Sequence, residues 1–163
     1  MATGVIGLGN IGGHIAANLV ADGNDVVVHD VDADAMAALN GATAAPDVAT
    51  VGQLADVTLL SLPTPNVVVA VAAAWADAAS PGSILVDLST NSPALVRELG
   101  HRLAASGHHL VEAPLTGGSI GAEKRMLVFM GAAMTSRLPE CCRCSGRSAG
   151  PPTTSANSAW ATP

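Results

Sequence analysis

The residues best suited to chemistry in this sequence form a glycine-rich segment, Gly7-Leu8-Gly9-Asn10-Ile11-Gly12. The segment follows the short apolar run Gly4-Val5-Ile6, which is typical of a strand. Downstream, Ile15 and Leu19 continue from Ile11 at four-residue spacing, which predicts one face of a helix. The glycines therefore lie between a strand and a helix, the context that a dinucleotide-binding turn requires.

Each glycine of the segment has a distinct predicted role. Gly7 permits a tight turn, Gly9 lets a diphosphate approach the backbone, and Gly12 lets the helix pack closely on the strand. The unpaired N–H groups and the positive dipole end of the helix would face the phosphates. We predict that this turn binds a dinucleotide, and the alternative is an ordinary glycine-rich turn.

An acidic residue follows the next predicted strand. Asp25–His29 contains three successive valines, a pattern expected of a strand that is buried on both faces, and Asp30 lies 18 residues after Gly12. In the dinucleotide fold an acid at this place accepts hydrogen bonds from the adenosine ribose and repels a 2′-phosphate, which favours NAD over NADP. Alternatively, Asp30 caps the predicted helix Ala33–Asn40, a role for which Asp32 competes.

Polar or rigid loops follow the next two strands of the predicted sheet. Leu62-Pro63-Thr64-Pro65 follows Val57–Ser61, and Ser89-Thr90-Asn91-Ser92-Pro93 follows Ser83–Leu88. Loops at the carboxyl edge of an open α/β sheet are where ligands bind. Alternatively, these loops only end the strands and start the helices that follow, with Ser92 as a helix cap and Pro93 at the first helical position. For the hydroxyl-rich loop both roles are expected.

A further loop, after strand His109–Glu112, contains Thr116-Gly117-Gly118. A hydroxyl followed by two glycines exposes consecutive backbone N–H groups, which can hold a carboxylate. His108 and His109 are interpreted as turn and strand-entry residues, because no third ligand lies at a spacing useful for a metal.

Strands and helices alternate along residues 1–130, which predicts a doubly wound, mostly parallel α/β sheet of the Rossmann type. The remaining predicted strands are Thr3–Leu8, Ala42–Ala44 and Leu127–Met130, and the remaining predicted helices are Asn10–Ala21, Val48–Leu54, Asn66–Ala79 and Ala94–Ala105.

Composition limits the classes of partner. The 163 residues carry a net charge of −6 and a single lysine, so nucleic acid is an unexpected partner and phosphates must be bound by backbone amides. We expect no signal peptide, and the longest apolar run, Val67–Ala76, is too short to span a bilayer, so the expected location is cytoplasmic without membrane association. Cys141, Cys142 and Cys144 match neither a disulfide framework nor a complete zinc site, and no metal is expected.

Four motifs in order resemble the β-hydroxyacid dehydrogenases, and in particular the amino-terminal domain of the 3-hydroxyisobutyrate dehydrogenase type. They are the Gly7–Gly12 turn, Leu62-Pro63, Asp87-Leu88-Ser89-Thr90, and Glu112–Gly118 with Gly121-Ala122-Glu123. The resemblance covers residues 3–131 and implies a Rossmann domain that would be followed by an all-α domain.

The resemblance also implies site roles. Gly7–Gly12 and Asp30 would hold the adenosine and diphosphate of NAD, Leu62, Pro63 and Thr90 would line the coenzyme cleft, and Thr116-Gly117-Gly118 would bind a small substrate carboxylate. Hydride would move between the nicotinamide and the hydroxyl-bearing carbon of a small 3-hydroxy acid. Full-length relatives are expected to be homo-oligomers. Glyoxylate or succinic semialdehyde reductases and imine reductases share the first domain and stay open as alternatives.

The resemblance requires a lysine as general acid and base on a helix after the last strand. Lys124 lies too early and beside Glu123, so no catalytic residue is assigned and little or no turnover is expected. A non-catalytic dinucleotide-binding module and a defective gene fragment are the competing interpretations.

The character of the sequence changes after Gly131. A second reading frame of the gene starts at the third base of each codon. In that frame the codons of Cys141 and Cys142 must encode a leucine. The codons of Trp160 and Ala161 must encode a glycine, because TGG followed by GC yields GGC. The shifted frame permits V-L-P and G-E-L-G segments typical of the family. We hypothesise a one-base shift of the reading frame between Met130 and Glu140. The shift predicts a disordered tail over residues 132–163. Resequencing the gene would test it.

Overall fold

The fold is described from a computed structural model over residues 1–133. The cysteines and the predicted tail lie outside the described residues, apart from Ala132 and Ala133. The strands are β1 (Thr3–Ile6), β2 (Val26–His29), β3 (Thr43–Ala44), β4 (Val57–Leu60), β5 (Ile84–Asp87), β6 (His109–Glu112), β7 (Leu115–Thr116), β8 (Val128–Phe129) and β9 (Ala132–Ala133). The helices are α1 (Gly12–Ala21), α2 (Ala33–Ala37), α3 (Val48–Leu54), α4 (Pro65–Ala76), α5 (Pro93–Ala105) and α6 (Gly118–Glu123).

The main sheet has the order β3-β2-β1-β4-β5-β6-β9, in which the first six strands are parallel and β9 is antiparallel to β6. This order reverses direction between β1 and β4, as in the doubly wound nucleotide-binding folds. The predicted fold class is therefore confirmed. Because six strands are parallel, the loops that follow β1, β2, β4, β5 and β6 leave the same edge of the sheet.

Buried apolar residues cover both faces of the sheet, which explains the nearly continuous apolar strands. One face packs against α3, α4 and α5, with Trp75 fully buried, and the other packs against α1. The Trp75 indole N–H donates to the Thr58 hydroxyl of β4 at 2.9 Å, so the polar group of each side chain is satisfied inside the core.

The two histidines lie at the amino edge of β6, away from the loops at the opposite edge. His108 is buried, its Nε2 lies 3.1 Å from the Ala76 carbonyl oxygen, and its ring packs edge-on against Trp75 at 5.2 Å between centroids. His109 is the first residue of β6. Both positions agree with the turn and strand-entry interpretation.

Most predicted elements are present, and their ends differ by a few residues. The prediction of α2 was too long because Ala33–Ala37 is followed by a turn at Gly41, where φ is +92°. The run Leu127–Met130 contains strand β8, but β8 pairs with β7 in a separate two-stranded sheet rather than in the main sheet. No sequence pattern predicted β7, α6 or β9. Within residues 1–133, no helix is long and apolar enough to cross a membrane.

Candidate functional site

The glycine-rich segment forms the turn between β1 and α1. The Gly7 N–H donates to the His29 carbonyl oxygen at the end of β2 at 3.0 Å. Gly7 has a φ of +91°, and a Cβ there would lie 2.3 Å from the Ser61 carbonyl oxygen after β4. The turn is therefore wedged between the ends of β2 and β4, where any larger residue than glycine collides with backbone.

The space around Gly12 and Gly9 differs sharply. A Cβ on Gly12 would lie 1.9 Å from the Gly7 carbonyl oxygen, whereas a Cβ on Gly9 would meet no heavy atom within 4 Å. Gly9 and Asn10 are exposed. Gly12 is thus needed for packing of the turn itself, while the backbone at Gly9 is open to solvent beside the start of α1. Unpaired backbone N–H groups at the start of a helix are, in general, a place where phosphates bind.

The Asp30 carboxylate links the glycine-rich turn to the end of β2. Its Oδ2 accepts a hydrogen bond from the Leu8 N–H at 2.5 Å, and its Oδ1 accepts one from the Asp32 N–H at 2.9 Å. The cap of α2 is Asp32, whose Oδ1 accepts from the Asp34 N–H at 2.9 Å. Asp30 is therefore held beside the turn instead of capping the helix.

The loops after β4 and β5 are joined by a buried side chain. The Leu62 N–H donates to the Ser89 hydroxyl oxygen at 3.1 Å, and the Ser89 N–H donates to Asp87 Oδ1 at 2.9 Å. Pro63 and Thr90 are exposed on either side of this link. The structure thus brings Leu62, Pro63 and Thr90 to neighbouring positions along the same edge of the sheet.

Both loops also start helices, as the alternative interpretation required. Thr64 caps α4 by accepting from the Val67 N–H at 3.4 Å, and Pro65 is the first residue of that helix. Ser92 caps α5 by accepting from the Leu95 N–H at 3.3 Å, with Pro93 in the first turn. Capping therefore accounts for Thr64, Pro65, Ser92 and Pro93.

Thr116, Gly117 and Gly118 are exposed where β7 runs into α6. Gly117 and Gly118 have φ angles of +120° and +60°, which L side chains rarely adopt, so both positions favour glycine. This segment is connected to the glycine-rich turn through α1, because the Asn18 side-chain NH₂ donates to the Ala122 carbonyl oxygen of α6 at 2.8 Å.

The network around Asp87 was not predicted. Asp87 Oδ2 accepts from the Asn91 side-chain NH₂ at 2.7 Å, and Asn91 Oδ1 is buried without a hydrogen-bond partner among residues 1–133. The motif Asp87-Leu88-Ser89-Thr90 lies in this loop, but the bond from the Leu62 N–H to the Ser89 hydroxyl oxygen crosses 27 residues, so no local sequence pattern predicts it.

Two carboxyl groups of this edge have raised pKa values. Burial raises the pKa of Asp87, against the hydrogen bonds from Ser89 and Asn91, which lower it. Burial also raises the pKa of Glu112, and so does the charge of Asp87, its neighbour in the register of β5 and β6. A carboxyl whose pKa is raised by folding favours the folded state when protonated, so this stabilisation is present at low pH and is lost as pH rises through the raised values.

We expect Asp87→Asn to gain stability relative to the wild type as pH rises from about 4 to about 7. The new amide oxygen can accept from Ser89, and its NH₂ can donate to Asn91 Oδ1 once the Asn91 amide turns over. The difference in the free energy of unfolding between Asp87→Asn and the wild type should change with pH. The change should be at most about 1.4 kcal/mol per pH unit, the limit for one titrating group. Urea unfolding at several pH values measures it. Asp56→Asn, at an exposed position before β4, is the control for loss of one charge. A pH-independent difference for Asp87→Asn would contradict the prediction.

Residues 2–143 match the family model described as the NAD binding domain of 6-phosphogluconate dehydrogenase. The chain belongs to this family of NAD-binding domains, which defines its class as a nicotinamide-dinucleotide-binding domain. Mitochondrial 3-hydroxyisobutyrate dehydrogenase of Drosophila melanogaster is 35% identical over 131 residues, which cover 78% of this chain and 40% of the relative.

Solved structures of related proteins have the same fold as this chain. The 3-hydroxyisobutyrate dehydrogenase of Mycobacterium tuberculosis, solved with L-serine, has a TM-score of 0.84 and 30% identity over 88% of this chain and 50% of that one. A putative oxidoreductase from Mycobacterium avium has a TM-score of 0.80 and 33% identity, covering 86% of this chain and 51% of that one. The chain therefore spans about half the length of these solved relatives and two fifths of the fly enzyme.

Proposed function

We propose that residues 1–131 are the coenzyme domain of a β-hydroxyacid dehydrogenase and that they bind NAD at the carboxyl edge of the sheet. The observation that carries the proposal is the link between Leu8, in the glycine-rich turn, and Asp30, at the end of β2. It places a carboxylate, an acceptor for sugar hydroxyls, beside open backbone suited to a diphosphate. Leu62, Pro63 and Thr90 would line the continuation of this cleft toward the nicotinamide.

The charges around Asp30 favour NAD over NADP. Asp30, Asp32 and Asp34 lie within five residues, and Asp32 and Asp34 are exposed. A 2′-phosphate on the adenosine ribose would meet these carboxylates without a nearby lysine or arginine in the β2–α2 segment. Like charges at short range oppose binding, so discrimination against NADP follows from the same residues that accept the ribose hydroxyls.

The proposed substrate is a carboxylate with a hydroxymethyl group on the adjacent carbon. Thr116-Gly117-Gly118 would hold the carboxylate through the Thr116 hydroxyl and backbone N–H groups. Relatives support this class, because 3-hydroxyisobutyrate and 2-(hydroxymethyl)glutarate, in the names of two relatives, both carry the group. So does L-serine, named with the M. tuberculosis structure. An imine reductase from Streptomyces aurantiacus is only 22% identical and supports the fold alone.

When bound, NAD would accept hydride from the hydroxymethyl carbon, converting it to an aldehyde with release of a proton. The residues of this domain would orient the two partners. The N–H groups of Gly7 and Leu8 donate within the protein, so the backbone amides of the rest of the Gly7–Gly12 turn would fix the diphosphate. Thr116–Gly118 would fix the carboxylate. No residue of this chain is assigned as the group that takes up the proton.

The test is a fluorescence titration of the chain with NADH and NADPH, followed by 3-hydroxyisobutyrate added at saturating NADH. We expect NADH to bind more tightly than NADPH and the acid to bind to the complex. The matched control ligand is 2-methyl-1,3-propanediol, in which a second hydroxymethyl replaces the carboxylate, and which should not bind. Equal affinity for the acid and the diol would refute the carboxylate site, and failure to bind NADH would refute the coenzyme site.

Asp30→Asn should lower NADH affinity by about tenfold while leaving NADPH affinity unchanged or higher. The asparagine oxygen can still accept from Leu8, but the charge-assisted bond to a ribose hydroxyl is lost, a change of about 1.5 kcal/mol. The ratio of the two dissociation constants is the measurement. Asp56→Asn, at the opposite edge of the sheet, controls for net charge. An unchanged NADH-to-NADPH ratio in the Asp30 variant would remove this residue from the site.

A further inference from the structure

Arg125 occupies an unusual backbone conformation directly after α6. Its φ is +59°, and it is the only residue other than glycine with a positive φ among residues 1–133. The Arg125 N–H donates to the Ala122 carbonyl oxygen at 3.3 Å, and the Met126 N–H donates to the Gly121 carbonyl oxygen at 2.7 Å. This pair of bonds is a Schellman motif, in which glycine normally occupies the left-handed position.

The Arg125 side chain reaches from this position to the last turns of α1. Nη1 donates to Asp22 Oδ1 at 2.6 Å, Nε donates to Asn18 Oδ1 at 3.2 Å, and Nη2 donates to the Asn18 carbonyl oxygen at 3.3 Å. The Asn18 side-chain NH₂ returns a bond to Ala122 of α6. A guanidinium presents its donors in a rigid fork, so these bonds fix its orientation as well as its distance.

The two elements joined in this way carry different parts of the site. α1 begins at Gly12, the end of the coenzyme turn, and α6 begins at Gly118, the end of Thr116–Gly118. Gly121 and Ala122 are buried, while Ile120 is 65% exposed, so only one side of this six-residue helix is packed. A helix this short is not stable alone and depends on contacts with its neighbours.

We propose that Arg125 is a positioning residue that anchors α6 on α1 and so sets where Thr116–Gly118 lies relative to the coenzyme. The choice of arginine at a left-handed position supports the proposal, because glycine would give the same turn without strain but without the fork. The effect of Arg125 on carboxylate binding rests on the proposed function. The anchoring of α6 on α1 by Arg125 is independent of that function.

The test compares Arg125→Gly, Asp22→Asn and Arg102→Ala with the wild type. Arg125→Gly removes the fork and relieves the backbone, whereas Asp22→Asn weakens the link from α1 and leaves the backbone after α6 unchanged. Arg102 pairs with Glu98 at 3.9 Å on α5, with both side chains more than 60% exposed, and is the control for loss of a surface ion pair. The readouts are amide hydrogen exchange of residues 117–123, NADH affinity, and 3-hydroxyisobutyrate affinity at saturating NADH.

We expect exchange at residues 117–123 to be about tenfold faster in Arg125→Gly and faster in Asp22→Asn, with no change in Arg102→Ala. NADH affinity should stay within about twofold, while affinity for the acid falls about fivefold, a split that general loss of stability would not produce. Wild-type exchange rates in both Arg125→Gly and Asp22→Asn would overturn the proposal. If the wild type binds NADH but not the acid, the carboxylate site is refuted, and exchange alone still decides whether Arg125 anchors α6.

Discussion

Alanine in place of Gly12 should strongly destabilise the folded domain. The new Cβ would lie 1.9 Å from the Gly7 carbonyl oxygen and 3.1 Å from the Ser61 Cβ. Neither obstacle is the flexible end of a side chain, and Gly7 is itself held by its bond to the His29 carbonyl oxygen. Relief therefore requires β1, α1 and the end of β4 to move apart, at a cost above about 3 kcal/mol.

Such a loss is a large part of the total stability of a domain, about 5–15 kcal/mol. Urea unfolding followed by circular dichroism measures it, with NADH titration at a temperature where the variant remains folded. The control is alanine at Gly9 in the same turn. A Gly12→Ala midpoint equal to that of the wild type would show that the turn is looser than its geometry indicates.

The second large effect is expected for Gly9→Ala, which should weaken NADH binding without lowering the stability of the fold. Alanine at Gly9 would meet no heavy atom within 4 Å, so the fold should be unaffected. Because the backbone at Gly9 is not in the left-handed region, alanine can even stabilise the chain by a few tenths of a kcal/mol through the unfolded state. The added methyl group would nevertheless occupy the space through which a diphosphate approaches the backbone.

We expect Gly9→Ala to lower NADH affinity by about tenfold to a hundredfold, or about 1.4–2.8 kcal/mol, with a melting temperature equal to or above that of the wild type. Fluorescence titration and a thermal melt on the same preparation measure both quantities. Wild-type affinity in this variant would mean that the diphosphate does not approach Gly9, and the coenzyme site would have to be placed elsewhere.

The sequence was sufficient to predict the alternating elements and the candidate coenzyme turn because both depend on local patterns. The buried valine run of β2 and the bounds of α3 and β6 follow from residues within each element. Polar residues directly after strands could be assigned to one edge, because parallel strands share their direction. The helix cap Ser92 was also predicted from residue type and position, whereas for the cap of α2 the sequence left Asp30 and Asp32 as alternatives, and the structure has Asp32.

What could not be predicted depends on long-range pairing. β7 and β8 have two residues each, too few to show an alternating pattern, and they pair only with each other. The run Leu127–Met130 therefore suggested a strand of the main sheet. Arg125 and its partners on α1 are 103–107 residues apart, and only the folded structure brings them together.

The bond from Leu8 to Asp30 has a consequence for redesign of coenzyme preference. Under the proposed function, replacing Asp30 with a neutral or basic residue would remove a charge that opposes the 2′-phosphate of NADP, but the same carboxylate supplies the acceptor for a main-chain amide of the glycine-rich turn. A lysine or arginine at position 30 would leave the Leu8 N–H without its acceptor. The glycine-rich turn, which is proposed to bind the coenzyme, would then be less well ordered. A successful redesign would keep a short acceptor at position 30, such as serine or asparagine, and introduce the cation one or two residues later, where Val31 is almost fully exposed.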